Sequence, residues 1–345
     1  MCSSDLITGR AVTGNEFAAM SDAEADKQID EIGVIARVAP EDKVRLVDVL
    51  KRRGNIVAMT GDGVNDAPAI KRSDIGVAMG ITGTEVTKEA AEMILTDDNF
   101  ATIVTAVNGG RALYDNLMKY IRFQIVSLSG FIALFVLAGI FNIAGGIPLE
   151  PLQILWINFA IDVLLAVGLG FDEATAGLME RKPRPANAPV VSKSVGARLA
   201  IGGILTAALA LVVIAVGEDR YDLSIALTMG LVTLSLLHVV AAISTRDPDR
   251  SAFGAHTFAN RRFNLMILGC VGLTVLVTEI GFLQRIFGTT SLTAEQWGIC
   301  LLAVLVAIAL VEIAKFILRH VGRGAVPADT VAPLPAAPTP GAALA

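Results

Sequence analysis

The sequence predicts part of a Rossmann-like α/β domain, followed by an all-α bundle of six transmembrane helices. Three observations predict this. Up to about residue 120, charged and apolar residues mix as in a soluble domain; beyond it, long apolar runs take over. Before the switch, short apolar runs alternate with amphipathic stretches, the pattern of parallel strands with helices on their faces. After it come six runs of about 20 apolar residues, the length that crosses roughly 30 Å of hydrocarbon. The 345 residues are 54% hydrophobic, and the mean hydropathy is +0.63, higher than a soluble domain of this size carries.

In the polar part, Gly33 to Ala36 reads as a strand and Glu41 to Arg53 as an amphipathic helix. Asn55 to Thr60 is a short apolar run closed by a glycine-rich turn, the pattern of a buried strand. Ala67 to Arg72 opens a helix, Ile75 to Met79 reads as a strand, and Ala91 to Leu95 as another. These elements make up only part of a sheet. From Phe100 a helical pattern runs without proline into the membrane region. The expected spans are 121–143, 152–171, 196–217, 221–244, 264–286 and 297–319. The expected domains are 1–115 (soluble), 116–324 (membrane) and 325–345, a Pro/Ala-rich tail expected to be disordered.

Basic residues set the expected orientation. Arg181, Lys182, Arg184, Lys193 and Arg198 lie between spans two and three; Arg246, Arg250, Arg261 and Arg262 between spans four and five; Lys315, Arg319 and Arg323 at or after the end of span six. The positive-inside rule puts these loops, both termini and the soluble domain in the cytoplasm. The net charge of −5 leaves no basic footprint for nucleic acid. Cys2, Cys270 and Cys300 form no metal or redox spacing. The chain opens on a polar stretch without a signal-peptide pattern. Met1 to Leu6 back-translates to the end of a common sequencing-library adapter behind a GTG start, so the sequence is expected to be that of a truncated gene.

The chemistry-bearing string is Thr60-Gly61-Asp62-Gly63-Val64-Asn65-Asp66-Ala67-Pro68. It follows a strand and precedes a helix, which places two carboxylates at the C-terminal edge of a sheet, where open α/β folds build their sites. Gly61 and Gly63 let the backbone turn sharply. Asp62 and Asp66 are hard oxygen ligands suited to Mg²⁺, and Asn65 adds a hydrogen bond without charge. The competing reading is a plain turn built from Asp and Gly; the length of the string in a strand–loop–helix setting argues against it.

This string resembles the hinge signature of P-type ATPases, members of the haloacid-dehalogenase-like superfamily. The resemblance continues through Ala36-Arg37-Val38-Ala39-Pro40-Glu41-Asp42-Lys43, through Ile75 to Gly80, through Glu92 to Phe100, and through Gly110-Arg111-Ala112-Leu113-Tyr114-Asp115-Asn116, which is similar to the stalk entering the family's fifth membrane helix. It covers about residues 10–320. The resemblance implies that Asp62 coordinates Mg²⁺, that Asp66 supports that site and the hinge, and that Lys43 contacts the phosphoryl group. Thr60, Gly61, Gly63 and Asn65 complete the implied catalytic loop. It further implies a multi-pass protein of a bacterial plasma membrane, with Mg²⁺ as cofactor and ATP as substrate of the complete pump.

The family phosphorylates an Asp in an Asp-Lys-Thr-Gly segment, and this sequence has none; Asp26-Lys27 continues as Gln28-Ile29 in a polar helical stretch. The nucleotide-binding domain, the actuator loop and the first four membrane helices of the family have no counterpart here. The chain alone is therefore expected to be inactive, as the C-terminal part of a pump.

For the transported ion, Asn158 and Asp162 lie four residues apart in the second span, on one helix face. An amide oxygen and a carboxylate suit Ca²⁺ or Mn²⁺. The run Gln153-Ile154-Leu155-Trp156-Ile157-Asn158 with Asp162 resembles calcium pumps and secretory-pathway calcium/manganese pumps. Against two-site calcium pumps, Leu128 and Phe131 replace ligands of the fifth family helix, Ile161 replaces one of the sixth, and His238 replaces one of the eighth. The resemblance therefore implies one ion per cycle. His238 reads either as a ligand or proton carrier or as a packing histidine. Glu279 and Glu312, near span ends, read as snorkelling or helix-bridging groups. H⁺ and Na⁺ remain alternatives for the ion. Two alternatives remain for the chain: a half-pump that binds cations or regulates a complete pump, and a membrane-anchored phosphatase of the same superfamily, which would need a nucleophilic Asp in a D-x-D segment after a strand, and none is visible.

Overall fold

The computed structural model describes residues 9–322 apart from 175–176, 182–183, 185–187, 248–250, 252–253, 255–256 and 258. Met1 to Leu6, Lys182, Arg250, Arg323 and the 325–345 tail therefore lie outside the described residues. The chain divides into two units, residues 1–112 with 175–190, and residues 113–174 with 191–345.

In the first unit, β1 (Arg10–Thr13) leads into α1 (Gly14–Ala19) and α2 (Asp22–Gln28). Thr13 with Glu16 and Ser21 with Glu24 form capping boxes that satisfy the first backbone N–H groups of each helix. Then come β2 (Ile32–Ala36), α3 (Pro40–Arg52), β3 (Ala58–Gly61), α4 (Ala67–Arg72), β4 (Ile75–Met79), α5 (Glu85–Ala90) and β5 (Met93–Leu95). Pro40 opens α3, Glu41 and Asp42 occupy its first turn, and Lys51 and Arg52 its last, an arrangement that complements the helix dipole.

All strand pairs are parallel, but they form two sheets, β1-β2 and β3-β4-β5. Helix α3 packs on both. Val49, Leu46 and Leu50 join Phe17, Ala25 and Ile29 beside β2, while Val47 and Val44 join Val57 and Ala69 beside β3. Between β2 and β3 lies a groove of about 390 Å³ lined by Ile32, Gly33 and Ile35 on one side and Val57, Ala58 and Met59 on the other. The partial sheet expected from the sequence is thus partial in its middle.

The second unit is helical. Helix α6 (Phe100–Phe141) runs without a break from the first unit's last strand into the first apolar span, as the proline-free pattern predicts. The second span is composite: α7 (Pro151–Trp156), a π-helical stretch (Ile157–Asp162) and α8 (Val163–Gly170). Helices α9 (Lys193–Arg220), α10 (Leu223–Arg246), α11 (Arg261–Glu279), α12 (Gly281–Phe287) and α13 (Ala294–Gly322) complete it. Among the described residues, six helices are long and apolar enough to cross a membrane. Helix α10 is the most enclosed, packed against α9, α11 and α13. Gly203 of α9 lets that helix lie against α6: a Cβ there would sit 2.1 Å from Ser129 Oγ and 2.4 Å from the Val126 carbonyl oxygen.

The fifth span ends earlier than its hydropathy suggests. Ile280 adopts an extended conformation (φ −91°, ψ 113°) between α11 and α12. The Thr278 carbonyl freed by this break accepts a hydrogen bond from the Gln284 side-chain amide, a local compensation that apolarity alone does not encode.

Candidate phosphoryl and cation sites

The loop after β3 is built by close approach. A Cβ on Gly61 would stand 2.4 Å from Asp66 Cβ, so only glycine fits there. Residues Val64–Asp66 make one 3₁₀ turn into α4, with the Asp66 N–H donating to the Gly63 carbonyl at 2.9 Å and the Gly63 N–H donating to Asp66 Oδ2 at 3.4 Å. Asp66 is buried at 7% exposure and pairs with Lys43 of α3. Asp62 is exposed. Its backbone is held by the Thr84 N–H (3.0 Å) and the Thr87 hydroxyl (3.2 Å), both donating to its carbonyl. Thr60 is the next-to-last residue of β3, and Asn65 is exposed.

The structure therefore brings Lys43, Gly61, Gly63 and Asp66 into one cluster and leaves the Asp62 carboxylate open at its rim. Open carboxylate oxygens are what Mg²⁺ requires, since it binds through one or two carboxylates and fills its shell with water and substrate phosphate. Asp62 fits the direct role. Asp66, turned onto Lys43, fits the supporting one.

Sequence reading missed Asp98. It accepts hydrogen bonds from the N–H groups of Gly80 (2.6 Å), Ile81 (3.0 Å) and Thr82 (2.8 Å) and from the Thr82 hydroxyl (2.8 Å). The Ile81 N–H foremost, with those of Thr82 and Gly80, holds its carboxyl at about 2. Asp98 thereby fixes the loop that leads into Thr84, the residue that anchors Asp62. Its only local signal is a second Asp beside Asp97 at a strand end.

In the helical unit, Asp162 is buried at 6% exposure. Ser127 of α6 donates to its Oδ2 at 3.0 Å, and His238 Nδ1 of α10 lies 2.7 Å from its Oδ1. His238 is fully buried, its Nε2 has no hydrogen-bond partner, and the rings of Phe123 and Phe131 meet it edge-on. Asn158 is exposed, and its amide nitrogen donates to the Ile154 carbonyl at 2.9 Å. The π-helical stretch separates the environments of the two: the Val163 N–H reaches back to the Asn158 carbonyl, one residue further than in an α-helix. No hydrogen bond joins Asn158 to Asp162, and among the described residues no group of three or more His, Cys, Asp or Glu is arranged to hold a metal ion. Ser127, one turn before Phe131 on α6, has no sequence signal beyond a hydroxyl in an apolar run. Glu279 is exposed at the end of α11, where Thr278 Oγ1 lies 3.4 Å from its carboxylate. Glu312 is half-buried in α13 and has a polar partner of its own.

Parallel strands with a glycine-rich loop, continued by helix into six apolar spans, define a class of protein that joins an α/β part to a multi-pass membrane part. Comparison with known proteins gives the same class: residues 146–317 match the family described as cation transporting ATPase, C-terminus, and residues 2–74 match haloacid dehalogenase-like hydrolase. The chain is 39% identical over 319 residues to calcium-transporting ATPase 1 of Bacillus cereus, covering 88% of this chain and 36% of that protein. It is 38% identical over 292 residues to the calcium-transporting ATPase of Bacillus subtilis (84% and 32%), and 36% identical over 301 residues to cation-transporting ATPase pma1 of Synechocystis (85% and 33%). The chain belongs to the P-type cation-transporting ATPase family and is a multi-pass membrane protein. It spans about a third of the length of the curated relatives it matches.

Proposed function

We propose that these residues form the C-terminal part of an ATP-driven divalent-cation pump, with Ca²⁺ as cargo and an aspartyl-phosphate intermediate. The observation that carries the reading is the loop Thr60 to Asp66, where Lys43 and Asp66 pair behind an open Asp62 carboxylate. Asp62 would hold Mg²⁺, which would supply positive charge toward the phosphoryl group. Lys43 supplies a cation toward the phosphoryl oxygens, and Asp66 holds it in place. The nucleophilic Asp belongs to a segment outside these residues, as do the nucleotide-binding and actuator parts; the groove between β2 and β3 supports that reading, because β2 and β3 face it without pairing to each other. The chain alone then neither hydrolyses ATP nor pumps. In the membrane, Asp162 and Asn158 contribute to a single cation site of the secretory-pathway type, which admits Ca²⁺ or Mn²⁺. The basic loops, both termini and the soluble part face the cytoplasm.

Radioactive ATP should leave no hydroxylamine-sensitive label on this chain. The same gene, extended upstream to include an Asp-Lys-Thr-Gly segment, should be labelled in the presence of Ca²⁺ and should load vesicles with ⁴⁵Ca²⁺, with Mn²⁺ competing. Labelling of the chain as it stands, or a completed pump driven by Na⁺ or H⁺ but indifferent to Ca²⁺, would overturn this reading.

A further inference from the structure

A groove of about 180 Å³ lies between α6, α9, α10 and α13, and none of the site residues described above lines it. Its walls are apolar, among them Val126, Leu205, Leu237 and Val311. Its charged lining residues are Arg122, Arg198 and Lys315, and no Asp or Glu lines it among the described residues. The three cations share one end. Arg198 lies in the second turn of α9, Lys315 lies near the end of α13, and both belong with Ser244 and Thr245 at the end of α10. Arg122 precedes Val126 by one turn on α6. Lys315 is held in place there, donating to the carbonyls of Ser244 (3.1 Å) and Asp247 (2.9 Å).

The apolar part runs from this basic mouth toward the bundle's middle. Along α9 it extends beyond Arg198 from Leu199 to Leu209, about 15 Å at roughly 1.5 Å rise per residue. That matches the half-thickness of about 15 Å that one leaflet's hydrocarbon occupies. A long apolar slot, one leaflet deep and closed by a cationic mouth, complements one ligand class: a phospholipid with net negative charge. A zwitterionic lipid carries its own cation to a mouth that already holds three. A free anion satisfies the mouth but leaves the slot unused.

We propose that this groove is a specific binding site for an anionic phospholipid. One acyl chain lies along Leu205, Leu237 and Val311, and the head-group phosphate meets Arg122 and Arg198. The site ties α6, α9, α10 and α13 together at their basic end. It is separate from the cation reading in its chemistry, since the hydrogen-bond partners of Asp162 are Ser127 and His238 and neither lines the groove.

The full chain, purified in mild detergent, is titrated with phosphatidylglycerol or with phosphatidylcholine of the same acyl chains, and retained lipid is counted by native mass spectrometry. One phosphatidylglycerol per chain is expected, bound on the order of tenfold more tightly than phosphatidylcholine. The R122Q/R198Q double variant is expected to reduce phosphatidylglycerol to the phosphatidylcholine level. L205W, which fills the slot and keeps the charges, should lose the bound lipid. Equal retention of both lipids by the unaltered chain would reduce the groove to ordinary bilayer contact. Complete displacement of the lipid by millimolar inorganic phosphate would make it an anion site without a lipid role. Both readouts use the unaltered chain, so the proposal stays open to refutation even where a variant fails to fold.

Discussion

His238 Nδ1 lies 2.7 Å from Asp162 Oδ1, with the histidine fully buried and its Nε2 unpartnered. The carboxylate proposed to meet the transported ion is thus already occupied on both oxygens, by His238 on one and Ser127 on the other. A cation arriving at Asp162 must displace or recruit these partners. An unmatched buried nitrogen costs about 1–3 kcal/mol, so the present arrangement leaves stabilisation to be gained when the site rearranges.

Divalent binding should therefore depend on Asp162. In D162N, the rise in thermal unfolding temperature produced by Ca²⁺ or Mn²⁺ should disappear, while N158A should retain part of it. H238Q, which keeps one donor toward Asp162, should bind more like the parent than H238A does. Undiminished Ca²⁺ stabilisation of D162N would remove Asp162 from the cation site.

Lys43→Ala should destabilise the first unit by about 2 kcal/mol, because it strips a charged hydrogen-bond partner from buried Asp66. Lys43 is one-third exposed, which places the effect below that of a fully buried pair. Urea unfolding followed by far-ultraviolet circular dichroism measures it. K43M should cost about as much as K43A if the charge matters, and clearly less if the side chain only packs.

Gly61→Ala puts a methyl carbon 2.4 Å from Asp66 Cβ. Relief requires the 3₁₀ turn to move, at about 1–3 kcal/mol. Gly54→Ala makes the comparison: Gly54 has open space around it but a φ of +81°, so its cost comes from backbone strain alone. Amide exchange of Gly63 and Asp66 should rise in G61A and stay unchanged in G54A.

Asp172, just beyond α8, accepts from Lys119 at 2.7 Å, from Arg246 at 2.9 and 2.7 Å, and from Asn260 at 2.9 Å. Burial pushes its carboxyl up, but the hydrogen bonds and charges of Arg246 and Lys119 outweigh this and hold it at about 2. A carboxyl with a depressed folded pKa contributes stability above its unfolded value near 3.9, and this is lost as pH falls toward 2. The contribution is about 2 kcal/mol. Thermal stability should decline between about pH 4 and pH 2, and D172N should flatten that decline. A decline as steep in D172N would assign it to other carboxylates.

The one-dimensional pattern determined much of this protein. The helix-to-membrane run from Phe100, the six apolar spans and the strand–loop–helix around Thr60 to Pro68 all follow from periodicity and from glycine and proline placement, which act over a few residues. Local capping signals at Thr13 and Ser21 were equally present in the sequence, although the short α1 and α2 carry too little apolar periodicity to be read as helices without them. What lay beyond the sequence depends on residues distant along the chain. The separation of the strands into two sheets was decided by which edges find partners, and α3 packs across both. The π-helical stretch at Ile157–Asp162 was decided by tertiary packing, since hydropathy does not distinguish a 3.6-residue turn from a wider one. The polar partners of Asp162 come from residues 35 and 76 positions away. Only the folded chain could show that His238 and Ser127 meet there, because a buried carboxylate takes the donors that packing brings within reach, whatever their distance in sequence.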